Sequence, residues 1–158
     1  MIKQFIKGII VAAAVFGGAA AMAKSNLMLD SEIFVEREVT RQDGSKATVL
    51  TEPKLVVPGD RLIFVVKYKN AGNKPASDFT ITNPMPKAVA FNGTSDGLET
   101  VSVDNGKSWG FLSAMKVTTK AGAQRPATMS DVTHIRWNLK QTLAPGEGGK
   151  LIFRGVVK

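Results

Sequence analysis

The clearest alternation of apolar and polar positions runs from Val56 to Phe91. Between Arg61 and Asn70, Leu62, Phe64, Val66 and Tyr68 fall on one face, while Ile63, Val65, Lys67 and Lys69 fall on the other. β-Branched and aromatic residues at a period of two predict a strand. Its apolar start on both faces predicts cover at one end and solvent at the other. Pro58-Gly59-Asp60 turns the chain into it, and Ala71-Gly72-Asn73-Lys74-Pro75 reverses the chain into a second antiparallel strand over Ser77 to Asn83.

The same alternation extends to both ends of the chain. From Asn26 to Val39, Leu27, Leu29, Ile33, Val35 and Val39 alternate with Asn26, Asp30, Glu32, Glu36 and Glu38, which predicts one long strand with a single apolar face. Asp43-Gly44 then predicts a hairpin turn with Ala47 to Thr51 returning. Leu98 to Val103 and Ser108 to Leu112 read as short strands around the Asn105-Gly106 turn, with Met115 to Thr119 following. Lys120 to Asp131 has no apolar period and reads as a mobile loop. In Val132 to Leu139, the phase points Ile135, Trp137 and Leu139 at the core, and Lys150 to Val157 is the last strand.

One motif occurs twice. Val57-Pro58-Gly59-Asp60 precedes Leu62-Ile63-Phe64, and Ala144-Pro145-Gly146-Glu147 precedes Leu151-Ile152-Phe153. Pro fixes φ and Gly permits the tight turn, so both read as corners at which a strand enters. About eight strands at this spacing and no helix in the body of the chain predict an immunoglobulin-like antiparallel β-sandwich of 7–9 strands.

The first 23 residues follow another rule. Lys3 and Lys7 precede the uncharged run Gly8 to Ala21, and Ala21-Met22-Ala23 fits a small-x-small cleavage site, so a helical signal peptide over residues 1–23 is expected. The run is about 14 residues, short of the roughly 20 that span a bilayer. The exported remainder divides into a hairpin over 24–53 and a repeat-like body over 54–158. It is expected in the periplasm or at the cell surface, without a membrane span once the leader is removed.

The absence of cysteine excludes thiol chemistry and thiolate metal sites, and leaves stability to packing. Of 21 basic residues, 19 remain after Lys3 and Lys7 leave with the signal peptide; against 13 acidic ones the exported chain carries +6. That balance suits anionic partners such as polysaccharide or lipid head groups, although a solvated basic surface needs no partner at all, and no nucleic-acid partner is expected.

Pro58-Gly59-Asp60, Tyr68-Lys69-Asn70-Ala71-Gly72, Ala76 to Asn83, Pro84-Met85-Pro86 and Leu143-Ala144-Pro145-Gly146-Glu147 together resemble the bacterial surface-repeat domain of unknown function eleven. Ser102-Val103-Asp104-Asn105-Gly106 and Asp131 to Trp137 extend the likeness, which covers about Lys54 to Lys158. The resemblance implies an immunoglobulin-like sandwich found in exported and cell-surface proteins, often as tandem copies in stalks. It brings no catalytic residues, because its motif positions are turns and core.

Little in the sequence points to bond-making chemistry. Gly93-Thr94-Ser95-Asp96-Gly97 has the letters of a nucleophile elbow, but strand-like residues follow where the elbow needs a helix. His134 is the sole histidine, too few for an imidazole metal site, and Asp78, Asp96, Asp104 and Asp131 lack calcium-loop spacing. No catalytic residue, metal or cofactor is expected. Two features suit contact instead: Trp109, an aromatic beside a tight turn, and the strand carrying Leu27, Leu29, Ile33 and Val35, which can pair at home or add to a neighbouring subunit. The sequence therefore reads as a non-enzymatic envelope structural or interaction protein whose partners are copies of itself or other envelope proteins. A polysaccharide-binding module is the alternative.

Overall fold

Two strands distant in sequence form the spine of the molecule: β3 (Arg61–Asn70) and β10 (Gly148–Val157), paired antiparallel with Phe64 opposite Phe153. Their rings stack with centroids 4.4 Å apart and planes 2° from parallel. Each strand is entered through one of the Pro-Gly-acid corners, and the two corners are built alike. Asp60 N–H donates to the Val57 carbonyl and Glu147 N–H to the Ala144 carbonyl, both at 3.0 Å, with Gly59 at φ 93° and Gly146 at φ 83°. In each, the acid's carboxylate accepts the N–H three residues back, from Val57 at 2.9 Å and from Ala144 at 2.8 Å.

Each corner also clasps the far end of the other strand. Gly59 N–H donates to Val157 and Val157 N–H to Asp60; Gly146 N–H donates to Asn70 and Asn70 N–H to Glu147. The four bonds relate the ends of the β3–β10 ladder by an approximate two-fold axis. The acid at each corner is thus part of the ladder's termination, which the sequence echo alone does not reveal.

Around this spine the computed structural model, which describes residues 26–158, places an all-β sandwich. The larger sheet runs β2 (Lys46–Thr51), β1 (Leu27–Thr40), β3, β10, β5 (Val89–Thr94). The smaller runs β4 (Phe79–Pro84), β9 (His134–Leu139), β6 (Thr100–Ser102), and a two-stranded ribbon pairs β7 (Lys116–Thr118) with β8 (Gln124–Pro126). All pairs are antiparallel. Leu62, Phe64, Val66 and Tyr68 face Ile81, Ile135, Trp137 and Phe79 across one apolar core, as their phase predicts. Ile63 is buried on the opposite face and Lys69 exposed, so β3 is covered at its start and solvated at its end.

Trp137 is 1% exposed and its indole Nε1 has no hydrogen-bond partner among the described residues. An unmet donor costs about 1–3 kcal/mol. Burying a tryptophan's roughly 150–250 Å² of apolar surface returns about 4–6 kcal/mol, so volume wins at this position.

Several expectations need correction. Arg61 to Asn70 and Ser77 to Asn83 do not pair with each other, because Ala71 to Pro75 carries the chain from the larger sheet to the smaller one. Ser108 to Leu112 is not a strand; its only ladder contact is the Val101–Gly110 bridge, and Leu112–Ala114 closes a 3-10 turn. Lys120 to Asp131 is more structured than its polarity suggests. It contains β8 and a capped 3-10 turn over Met129–Asp131, held by polar bonds: Arg125 grips Asp131 with both Nη atoms at 2.7 Å. The described residues accordingly hold ten strands, of which β5 and β8 are not anticipated by the alternation.

The crossover between sheets depends on one buried polar side chain. Asn70, 2% exposed, donates through Nδ2 to the Lys74 and Leu143 carbonyls and accepts from Gly72 N–H. It thereby ties the crossover to the second corner. Replacing it with leucine leaves those backbone groups unmet, so Asn70→Leu should lower stability by about 3 kcal/mol or more in urea denaturation. A loss under about 1 kcal/mol would show that the crossover holds without it.

Candidate functional site

The residues expected to make contacts lie apart, four on β1 and Trp109 in the segment after β6. Leu27, Leu29, Ile33 and Val35 all stand on the side of β1 that faces the core across β3, but their burial differs sharply. Val35 is 1% exposed and Leu27 is partly buried, whereas Leu29 and Ile33 are 50% and 40% exposed. Five strands face three: within the larger sheet the buried core comes from β3, β10 and β5, with Val35 alone from β1 and no residue from β2. The apolar face of β1 therefore extends beyond its cover.

The backbone of β1 is equally divided. Val35 to Thr40 pair with β2 on one side, and Leu27 to Glu36 pair with β3 on the other. From Leu27 to Phe34 the edge away from β3 has no ladder partner among the described residues. Along it stand Met28, 60% exposed, Leu29 and Ile33, with Asp30 and Glu32 between them. Glu32 is neutralised by Lys67 Nζ at 2.5 Å. The strand is fixed by one neighbour and open to another, the geometry that accepts an added strand.

Trp109 belongs to a different assembly, built by the Asp104-Asn105-Gly106 turn. Asn105 and Gly106 adopt φ 61° and 84°, as an Asn-Gly pair permits. The Asp104 carboxylate accepts the Ser108 hydroxyl at 2.6 Å, the N–H groups of Ser108 and Lys107, and the hydroxyl of the buried Ser102. These bonds hold its pKa far below the usual carboxylate range, the Ser108 hydroxyl contributing most. Trp109 is half-buried, its Nε1 donating to the Gly106 carbonyl at 3.0 Å. Arg136 lies over its ring with the guanidinium carbon 3.5 Å from the centroid, and His134 meets it edge-on at 6.2 Å. One face of the indole is thus occupied by a cation.

The catalytic letters stay apart in the fold. Ser95 stands in the turn after β5 of the larger sheet, bonded through its N–H to Ile152, and the chain proceeds to β6 without a helix. His134 begins β9 of the smaller sheet, its Nδ1 3.1 Å from Thr133 Oγ1. Among the described residues no three His, Asp or Glu side chains gather as metal ligands, and Asp104 and Asp131 spend their lone pairs on their own turns. Beside His134 opens a cleft of about 350 Å³ lined by Met85, Val89, Val132, Lys87 and Asn105. Val132 reads from the sequence as sharing the outward phase of His134, yet it is buried because it caps the preceding 3-10 turn rather than lying in β9. The contact of Arg136 with Trp109 is not legible in the sequence, because the two are 27 positions apart and Trp109 lies outside any strand.

Compared with protein-family models, with curated proteins and with solved structures, the chain matches none. Among the described residues no helix is long and apolar enough to cross a membrane.

The Asp104 turn gives a pH test. A carboxyl depressed in the folded chain contributes stability above its ordinary value of 3.8 and loses it as pH falls below that value. Asp104→Ala should be less stable than wild type by a constant margin from pH 7 to about 4, and the margin should shrink below that. Urea denaturation followed by tryptophan fluorescence checks this; a margin that widens on acidification would contradict the assigned bonds.

Proposed function

We propose that this protein is an exported, non-enzymatic structural or interaction protein of the cell envelope that assembles with copies of itself through the open half of β1. The observation that carries the reading is the edge from Leu27 to Phe34: anchored by β3, without a ladder partner on its other side among the described residues, and lined by exposed Met28, Leu29 and Ile33. The leader-like first 23 residues and the likeness to surface-repeat domains support export. The separation of Ser95, in the turn after β5 of the larger sheet, from His134 on the smaller sheet supports a role without bond making.

Two copies can pair over this segment about a two-fold axis, since an isologous contact uses the same strand twice. Placing Met28 opposite Phe34 uses the open length up to the start of β2. It sets Leu29 opposite Ile33 on the apolar face, and Ser31 opposite its counterpart. It also sets Asp30 opposite Glu32, a like-charge contact eased by Lys67 on Glu32. Assembly should therefore tighten as salt is raised through the range where the Debye length falls from about 30 to 8 Å.

Size-exclusion chromatography with light scattering on residues 24–158 tests this reading. The wild type should self-associate more strongly at higher salt. The Leu29→Lys, Ile33→Lys double variant should remain monomeric with stability within about 1 kcal/mol, because both side chains are already half exposed. A wild type that stays monomeric at every salt and protein concentration would refute assembly.

A further inference from the structure

The outward face of the smaller sheet carries a cation, Arg136, that no carboxylate among the described residues neutralises. Around Arg136 its outward positions are Thr80, Thr82, Thr100, His134 and Asn138; opposite His134, Ser102 is buried under the Asp104 turn, whose carboxylate accepts its hydroxyl at 2.7 Å. Arg136 is at the centre, directly opposite Thr82 on one neighbour and Thr100 on the other.

Its guanidinium is held on two sides. Nε donates to Thr82 Oγ1 at 3.2 Å, and the plane rests on Trp109, which is itself fixed by the Gly106 carbonyl and the Asp104 turn. Arg37 and Arg125 are different: each spends both Nη atoms on a carboxylate, Asp60 and Asp131. Among the described residues neither Nη of Arg136 has an acceptor, and no carboxylate approaches within 4.0 Å. An arginine stacked on an aromatic ring and pinned at Nε has already lost most of its rotamer freedom. Its two Nη donors form a fixed fork matched to a planar, two-oxygen anion.

The surroundings select the molecule that bears the anion. Thr80, Thr82, Thr100 and Asn138 supply hydroxyl and amide groups on a flat sheet face, suited to the hydroxyls of a sugar ring. The carboxylates that border the face are already engaged, Asp104 by Ser102 and Ser108 and Asp131 by Arg125 and Thr128, and among the described residues none lies within 4.0 Å of Arg136. His134 continues the face into the cleft lined by Met85, Val89 and Val132, giving an apolar surface to the next unit. We infer that Arg136, backed by Trp109, binds the carboxylate of an acidic polysaccharide, with the threonine and asparagine side chains beside it taking the sugar hydroxyls. Trp109 then acts as the backing plate of the site rather than as a stacking platform. This site lies on the smaller sheet and is independent of assembly through β1.

The test is a calorimetric titration of residues 24–158 with an oligogalacturonate, with its methyl ester, and with a sulfated oligosaccharide of similar length. The wild type should bind the carboxylate form and neither of the others comparably. Arg136→Lys keeps the charge and removes the fork, and should weaken binding about tenfold or more at unchanged melting temperature, the loss of one charge-assisted hydrogen bond. Arg154→Lys, on the outer face of the larger sheet, should not change it. Equal binding by Arg136→Lys, equal loss in Arg154→Lys, binding of the ester, preference for the sulfated chain, or no binding at all would each overturn the assignment. Should Arg136→Lys fail to fold, arginine side-chain NMR of the wild type decides: the Arg136 Nε resonance shifts with added oligogalacturonate or the inference is wrong.

Discussion

The clasp between β3 and β10 is the constraint from which the rest of the structure follows. The strands lie some ninety positions apart along the chain, so joining them costs loop-closure entropy before any contact repays it. The repayment is concentrated in the stacked Phe64 and Phe153 at the middle of the ladder and in the two Pro-Gly-acid corners at its ends. Each corner does three things with four residues: it turns the chain, satisfies its own first N–H with a carboxylate, and terminates the opposite strand. The first corner goes further, because Asp60 also takes both Nη atoms of Arg37 from β1. The Val57 N–H and then that guanidinium hold its carboxyl below the usual range. The corner therefore fixes β1 against the spine as well.

Close approach at the spine shows how little slack this leaves. A Cβ at Gly148 would overlap the Tyr68 carbonyl, and one at Gly155 would strike Val89. Tyr68 in turn accepts a hydrogen bond from Gln141 at 2.8 Å, so the same residue contributes to the core and steadies the approach to the second corner. Asn70 completes the arrangement by binding crossover and corner through one amide. Polar groups here specify where strands end, and apolar groups specify which faces meet.

What the sequence made legible divides along that line. The faces were legible: the phase of Leu62 to Tyr68 and of Ile135 to Leu139 follows from period two, because one face of each strand is buried. The partners were not. Arg61–Asn70 and Ser77–Asn83 look like a hairpin from turn chemistry, and only the demand for a second layer sends them to different sheets. Lys120 to Asp131 looks structureless because its order comes from Arg125, Thr128 and Asp131, which leave no apolar period. Of the contact residues, Leu29 and Ile33 could be named from alternation, but the difference between them and the buried Val35 could not. It depends on how far the opposite sheet extends. Arg136 was hidden for a related reason, since its place over Trp109 is set by a turn that no strand pattern announces.

The mismatch between a five-stranded and a three-stranded layer then explains why exposed features lie where they do. A sandwich with equal layers would cover β1 and β2, and Leu29, Ile33 and Val39 would be core; here they overhang. On the other side, Thr80, Thr82 and Asn138 of the small sheet are exposed, while the turn from Asp104 to Trp109 packs over Ser102 and Arg136. Among threonines, an asparagine and a histidine, a stacked arginine is the exception. Solubility alone does not call for such an arrangement, because a free lysine would supply the charge with less loss of side-chain entropy. A guanidinium already held over an indole has little further freedom to lose on meeting an anion, and that preorganisation separates a binding surface from a merely basic one.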